Sequence, residues 1–254
     1  MNRKKYFNLL HQLALAQFKL KDQSAILGFL WSFLHPLILL GILFAMFRNQ
    51  TGQTIEYYAV YLLIGLVQYT HFANSTTRSL TVLYSMKHLT ANAIFPKEVL
   101  VLSTTMADTI ELALSMVICV VVAAFSGITL SWTILLLPVV CVLQYLLVSS
   151  VSLVLSCIYV FVRDIGHIYG AFLRILMFIT PIFYDRSFLG DGLGRYIILL
   201  NPLAYLINFS RILIIEGKPV AFQSVLVLLV TTGVFLLFSF KLFKSYEPVF
   251  SEYM

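Results

Sequence analysis

The sequence predicts an all-α polytopic membrane protein. It has six transmembrane helices, an amphipathic N-terminal interface helix, and a re-entrant helical hairpin on the extracellular side before the last span. Three observations carry this reading. Of 254 residues, 60% are hydrophobic and only 11% charged, with mean hydropathy +0.93; a soluble domain of this length needs far more surface charge. Apolar runs recur along the whole chain, each near the ~20 residues of helix that a bilayer core about 30 Å thick requires. No stretch is polar enough for a soluble domain, so residues 1–254 read as one membrane domain.

Residues 1–25 open the chain with Tyr6, Leu9, Leu10, Leu13, Ala16 and Leu20 on one helical face and Lys5, Asn8, Gln12 and Lys19 on another. Such a helix can lie on the cytoplasmic interface with its lysines against anionic lipid; a frayed positive leader is the plainer alternative. Ala14-Leu15-Ala16 mimics a cleavage site but lacks a preceding apolar region of proper length, so the N-terminus is expected to be retained. Six spans follow, at 26–47, 57–80, 101–125, 133–161, 165–184 and 221–240. Pro36 predicts a kink in the first, and the second grows polar after Gln68. Residues 195–215 are apolar but interrupted by Asn201-Pro202, and each half is too short to span. That pattern suggests a hairpin that enters and leaves by the same leaflet.

Charge placement chooses between six spans and seven. With six, Arg3, Lys4, Lys5, Lys19, Lys21, Arg78, Lys87, Lys97, Arg163, Lys241 and Lys244 share one side. Arg48, Arg186, Arg195, Arg211 and Lys218 share the other. Eleven against five makes the first side cytoplasmic, with both termini there. The same rule explains the net charge of +6 without nucleic acid. Internal repeats are not evident, which argues against inverted-repeat transporters.

Asp108 and Glu111, spaced i, i+3, lie on one face of the third span. Arg174 lies at a similar depth in the fifth, and an arginine in lipid needs protein or water around it. Arg174 is therefore expected to pair with Asp108, Glu111 or both; a proton relay through the carboxylates and contact with an anionic substrate are the alternatives. Trp31, Phe33, Tyr69, Phe72, Phe178, Phe183 and Tyr184 are candidates to line a conduit, since aromatic faces stack on the C–H faces of sugars; ordinary lipid or helix contact is the competing reading of each. Tyr57, Tyr58 and Tyr61 fit an aromatic belt. Ser149, Ser150, Ser152, Ser156 and Cys157 form a small-residue stripe suited to close helix packing. A serine nucleophile needs a base and an orienting group, and the sequence offers neither. His11, His35, His71, His88 and His167 lack metal-ligand spacing, as do Cys119, Cys141 and Cys157. There is no GxxxxGK[ST] phosphate loop, so any ATP-driven step must draw on a partner.

Four stretches then stand in a familiar order: "SAILGFLWSFLHPL" (24–37), "FPKEVLVLS" (95–103), "RDIGHIYGAFLRILMFITPIFY" (163–184) and "NPLAYLINFSRILIIEG" (201–217). Together they resemble the type-2 ABC exporter permeases for polysaccharides, which include the O-antigen and teichoic-acid export subunits, over almost the whole chain. The resemblance implies a homodimer in the bacterial cytoplasmic (inner) membrane, moving lipid-linked polysaccharide through a central channel. Two nucleotide-binding ATPase subunits would hold ATP and Mg2+, leaving this chain without cofactor, metal or catalytic residues. Phe95, Pro96, Lys97 and Glu98 resemble the segment where ATPase movement enters the membrane domain, and Arg163 and Asp164 the second contact. The first and fifth spans resemble the conduit helices. Pro181 would loosen the outer end of one, and Asn201-Pro202 would turn the hairpin that closes it. Two positions depart from the family: Lys21-Asp22-Gln23 stands where an Arg-Tyr-type sequence is common, and Lys97 replaces an arginine. A type-2 permease for a drug or small lipid, an ATP-independent channel or secondary transporter, and a membrane-embedded enzyme are the alternatives.

Overall fold

A computed structural model describes residues 3–20, 30–48, 55–86, 96–185 and 200–253. Every regular element among these residues is helical. They are α1 (Arg3–Leu20), α2 (Leu30–Phe47), α3 (Tyr58–Ser85), α4 (Glu98–Phe125), α5 (Leu137–Phe161), α6 (Ile165–Ile179), α7 (Pro202–Arg211), α8 (Phe222–Tyr246) and a last turn, α9 (Phe250–Tyr253). A 3-10 turn, Trp132–Leu136, leads into α5, and another, Glu247–Val249, joins α8 to α9.

Three helical stretches are long and apolar enough to cross a membrane: Glu98–Phe125, Trp132–Phe161 and Phe222–Val249. Leu34–Phe47 and Ile165–Ile179 are apolar but shorter. The expected second span is the 28-residue α3, long enough at about 1.5 Å per residue but too polar to qualify by composition. Its position explains this. α3 packs against α2, α4, α5, α6 and α7, so most of its surface meets protein. Gln68, Ser75, Thr76 and Ser79 are all buried there. A helix shielded by its neighbours need not be apolar all round. α8 is the converse. It packs mainly on α5 and leaves Phe222, Val227, Val234, Leu237 and Phe238 exposed, a surface suited to lipid rather than water.

The small-residue stripe of α5 does bring helices together. Ser149, Ser150, Ser152 and Ser156 are fully buried, and Ser149 Oγ lies 3.0 Å from Thr105 Oγ1 of α4. Pro36 stays inside α2 as a single helical element. The fifth span corrects its expected boundary: α6 ends at Ile179, and Thr180 is extended (ψ 131°), as the residue before a proline prefers. Of the expected hairpin, residues 195–199 lie outside the described residues. The remainder is α7, which continues as a wide π turn over Ile212–Glu216. Gly217 ends it in the left-handed region (φ 64°), the usual glycine stop.

α1 docks along α4, and its buried face is rotated from the expected one. Leu10 and Ala14 are buried, whereas Ala16 and Leu20 are exposed, Leu20 at 64%. A polar clasp chooses this rotation. Gln17 Nε2 donates to Ser103 Oγ (2.8 Å), and Thr104 Oγ1 donates to Gln17 Oε1 (2.7 Å). Both ends of the amide are satisfied by α4, which outweighs the alignment of a few leucines.

Candidate functional site

Three places gather the residues that the sequence singles out. The first is the end of the bundle where α4 begins and α5 ends. Phe95 lies outside the described residues. Pro96 and Lys97 are half-buried, and Glu98 is buried. Lys244 Nζ reaches Glu98 Oε2 and Glu247 Oε2, both at 2.8 Å, while Lys97 N–H donates to Glu247 Oε1 (2.7 Å). Burial, then the neighbouring Glu98 carboxylate, push the Tyr6 phenol of α1 up. Arg163 and Asp164 are exposed at the corner after α5, where the Arg163 guanidinium lies 4.7 Å from the Tyr84 ring centroid. The two expected contact segments thus lie at solvent-accessible corners, apart from Glu98, which is held inside.

The second place is a cavity of about 280 Å³ between α2, α3 and α4, lined by His35, His71, Asn74, Arg78, Asp108 and Glu111 among others. Here the structure corrects the expected ion pair. Asp108 Oδ1 is 3.0 Å from Arg78 Nη2, which also donates to the Thr104 carbonyl (3.3 Å). Arg174 lies on the exposed side of α6 and turns its Nε back to the Gly170 carbonyl (3.3 Å). The rotation of α6 decides this. Tyr169 and Leu173 are its buried residues, and Tyr169 Oη donates to Thr76 Oγ1 of α3 (2.7 Å), which leaves Arg174 pointing away from α4. Deeper still, Gln144 Nε2 donates to the Gln68 carbonyl and to His71 Nδ1, both at 2.9 Å. Gln68 Nε2 donates to Ser210 Oγ of α7.

The third place is the segment after α6. The expected conduit aromatics divide here. The side chains of Trp31 and Phe33 lie outside the described residues. Phe178 is 67% exposed and free to face a channel or lipid. Tyr69, Phe72, Phe183 and Tyr184 are buried in this chain. Tyr69 Oη donates to the Leu173 carbonyl (2.6 Å), and Tyr184 Oη to those of Phe178 (2.8 Å) and Ile179 (2.9 Å), ending α6. These four rings are corrected from conduit lining to internal packing, and the Tyr184 hydroxyl serves carbonyls that the end of α6 leaves open. Asn201 caps α7 by accepting from Leu203 N–H (3.1 Å) and donates to Thr180 Oγ1 (2.9 Å); Pro202 occupies the first helical position. Asn201-Pro202 therefore starts α7 and fixes it to the end of α6.

Arg211, which the charge count placed on the outer side, is 5% exposed and organises this corner. Nη1 donates to the Pro181 carbonyl (2.8 Å), Nη2 to those of Ile182 (2.7 Å) and Tyr61 (3.1 Å), and Nε also to Tyr61 (3.2 Å). The guanidinium stacks on the Tyr61 ring at 3.3 Å. Gly65 makes the room: a Cβ there would lie 2.8 Å from Arg211 Nη2 and 3.1 Å from Ile182 Cγ2. Gly65→Ala is expected to lower stability by about 1–3 kcal/mol through overpacking; thermal unfolding of detergent-purified protein reads this, and an unchanged midpoint refutes it. A signal for Arg211 was present in the sequence: a lone arginine inside an apolar run, the same one that drew attention to Arg174.

Among the described residues, no three His, Cys, Asp or Glu side chains come together to hold a metal ion. The arrangement is a helical domain with a polar interior, a bracketed break at the end of α6, and two corners, at the start of α4 and the end of α5. The comparisons define the class: residues 8–215 match the ABC-2 type transporter family, so the chain belongs to it. Within that family it is similar to the O-antigen export system permease protein RfbA of Myxococcus xanthus, 26% identical across 97% of this chain and 95% of the relative. Two Klebsiella pneumoniae proteins of the same name are 27% and 24% identical over the same shares.

Proposed function

We propose that this chain is the membrane subunit of an ATP-driven exporter that moves a lipid-linked glycan, of O-antigen or similar type, across the bacterial cytoplasmic membrane. The observation that carries this is similarity along nearly the full length to three proteins named as O-antigen export permeases. Two copies would enclose the channel, with an ATPase on each holding ATP and Mg2+. Pro96, Lys97, Glu98, Arg163 and Asp164, with Phe95, are the proposed ATPase contacts. The proposed topology has α2, α3, α4, α5, α6 and α8 crossing the bilayer. Residues 195–215 form a re-entrant gate, and both termini are cytoplasmic. The buried position of Arg211 removes one cation from the outer side of the charge count, and eleven against four keeps the same orientation. ATP binding by the partners would draw the contact corners together and switch the helices between two packed arrangements, advancing the polymer in steps.

Cells lacking this protein are expected to accumulate lipid-linked glycan on the inner leaflet, and the tagged chain is expected to co-purify with an ATPase. Normal glycan export in the deletion strain would refute the cargo, and activity without any ATPase would refute the energy source. A reporter fused after Met254 is expected in the cytoplasm; a periplasmic signal would overturn the topology.

A further inference from the structure

We propose that the segment from Lys244 to Tyr253 is a clasp that ties the two ATPase-contact corners into one mechanical unit. Its functional part rests on the reading of residues 95–98 and 163–164 given above. Glu247 works in two directions. Oε1 accepts from the Lys97 N–H (2.7 Å), one of the orphan donors at the start of α4, and Oε2 accepts from Lys244 Nζ (2.8 Å). Lys244 also grips Glu98 Oε2 (2.8 Å), whose side chain is 2% exposed. One lysine and two carboxylates therefore pin the base of α8 to the first turn of α4.

Past Glu247 the chain turns through Pro248 and drives Phe250 inward. Phe250 is fully buried, with its ring 5.2 Å from that of Phe243 and 6.0 Å from that of Phe161, both edge-on. Lys97 Nζ lies 5.7 Å from the Phe250 ring centroid. Tyr253 packs edge-on against Phe161 at 5.0 Å, and Tyr246 does so at 5.8 Å. Phe161 ends α5, two residues before Arg163. The stretch after the last long helix thus touches the first corner through Glu247 and the second through Phe250 and Tyr253. Helix ends normally fray. Here three of them meet, since the base of α8 shares an ion triad with the start of α4 and an aromatic core with the end of α5, so a push on residues 96–98 reaches the corner after α5 and the base of α8 together.

The test uses the full chain in membranes with its ATPase, comparing wild type with Phe250→Ala and Glu247→Gln; Phe250→Leu is the conservative control. Hydrogen–deuterium exchange is read over residues 96–101 and 158–165. Exchange is expected to rise in both segments together, roughly tenfold for Phe250→Ala and less for Glu247→Gln, with Phe250→Leu near wild type. ATP hydrolysis is expected to continue while glycan exported per ATP falls several-fold. Loosening confined to residues 246–253 would overturn the clasp. Loosening of both corners with export per ATP unchanged would overturn its coupling role and leave an anchor only. If the wild-type chain carries no ATPase, the underlying functional reading fails, and the exchange data still decide whether the corners are tied.

Discussion

Arg211→Ala is expected to destabilise the protein by about 3–5 kcal/mol, the largest effect of any single substitution considered. The alanine leaves the Pro181 and Ile182 carbonyls buried without their donors, at about 1–3 kcal/mol for each. Tyr61 loses both a hydrogen-bond donor to its carbonyl and the cation stacked on its ring. The segment Thr180–Tyr184 has no helical ladder of its own to fall back on. It would detach from α3, and with it the contacts of Tyr58 Oη to the Phe183 carbonyl (2.9 Å) and Tyr61 Oη to the Tyr184 carbonyl (3.0 Å). Arg211→Lys is expected to recover only part of the loss, since an ammonium cannot span three carbonyls as a planar fork does. Arg174→Ala, on an exposed face, is expected to stay within about 0.5 kcal/mol. Thermal unfolding in detergent, with limited proteolysis at residues 180–185, reads all three. An Arg211→Ala protein that melts like wild type would refute the bracket.

The second large effect concerns the ion pair. Asp108→Arg or Arg78→Asp alone is expected to cost about 2–3 kcal/mol, toward the low side for breaking a buried pair, because the Arg78 side chain is 31% exposed against 4% for Asp108. The double exchange, Arg78→Asp with Asp108→Arg, is expected to recover at least about 1 kcal/mol as a coupling energy. Pairing Asp108→Arg with Arg174→Asp is expected to recover nothing. Recovery through Arg174 and not through Arg78 would show that the pair lies between α4 and α6 after all. The same cycle, read as glycan export, would report whether the cavity between α2, α3 and α4 matters to transport as well as to folding.

Much of the helix set was legible because membrane composition is itself a structural signal. Glu98–Phe125, Trp132–Phe161 and Phe222–Val249 stand out by length and hydropathy, and the expected spans overlap them closely. α3 was legible as a helix that turns polar after Gln68. The polarity did not say which neighbours would absorb it, namely Gln144 of α5, Ser210 of α7 and Asp108 of α4. The misassigned ion pair shows the limit. Spacing put Asp108 and Glu111 on one face, and depth made Arg174 a fair partner. A small rotation of α6, set by Tyr169 against Thr76, turned Arg174 away. Arg211 was counted with the outer-side cations because it falls in a proline-broken apolar run that reads as a re-entrant hairpin, whereas α7 buries Leu203, Leu206 and Ile207 as well as the arginine.

Composition and period alone determined that this is a helical membrane protein and roughly where its long helices run, while its ordered motifs carried the resemblance to the family. Each of those properties belongs to one segment and its solvent. Tertiary structure decided which charges meet, which aromatics face inward, and what the chain after α8 grips. Between helices in lipid, apolar faces resemble one another and the surrounding tails, so hydrophobicity cannot choose a helix's rotation or its neighbour. A few buried hydrogen bonds and close-fitting small residues make that choice, and they exist only once the helices are together.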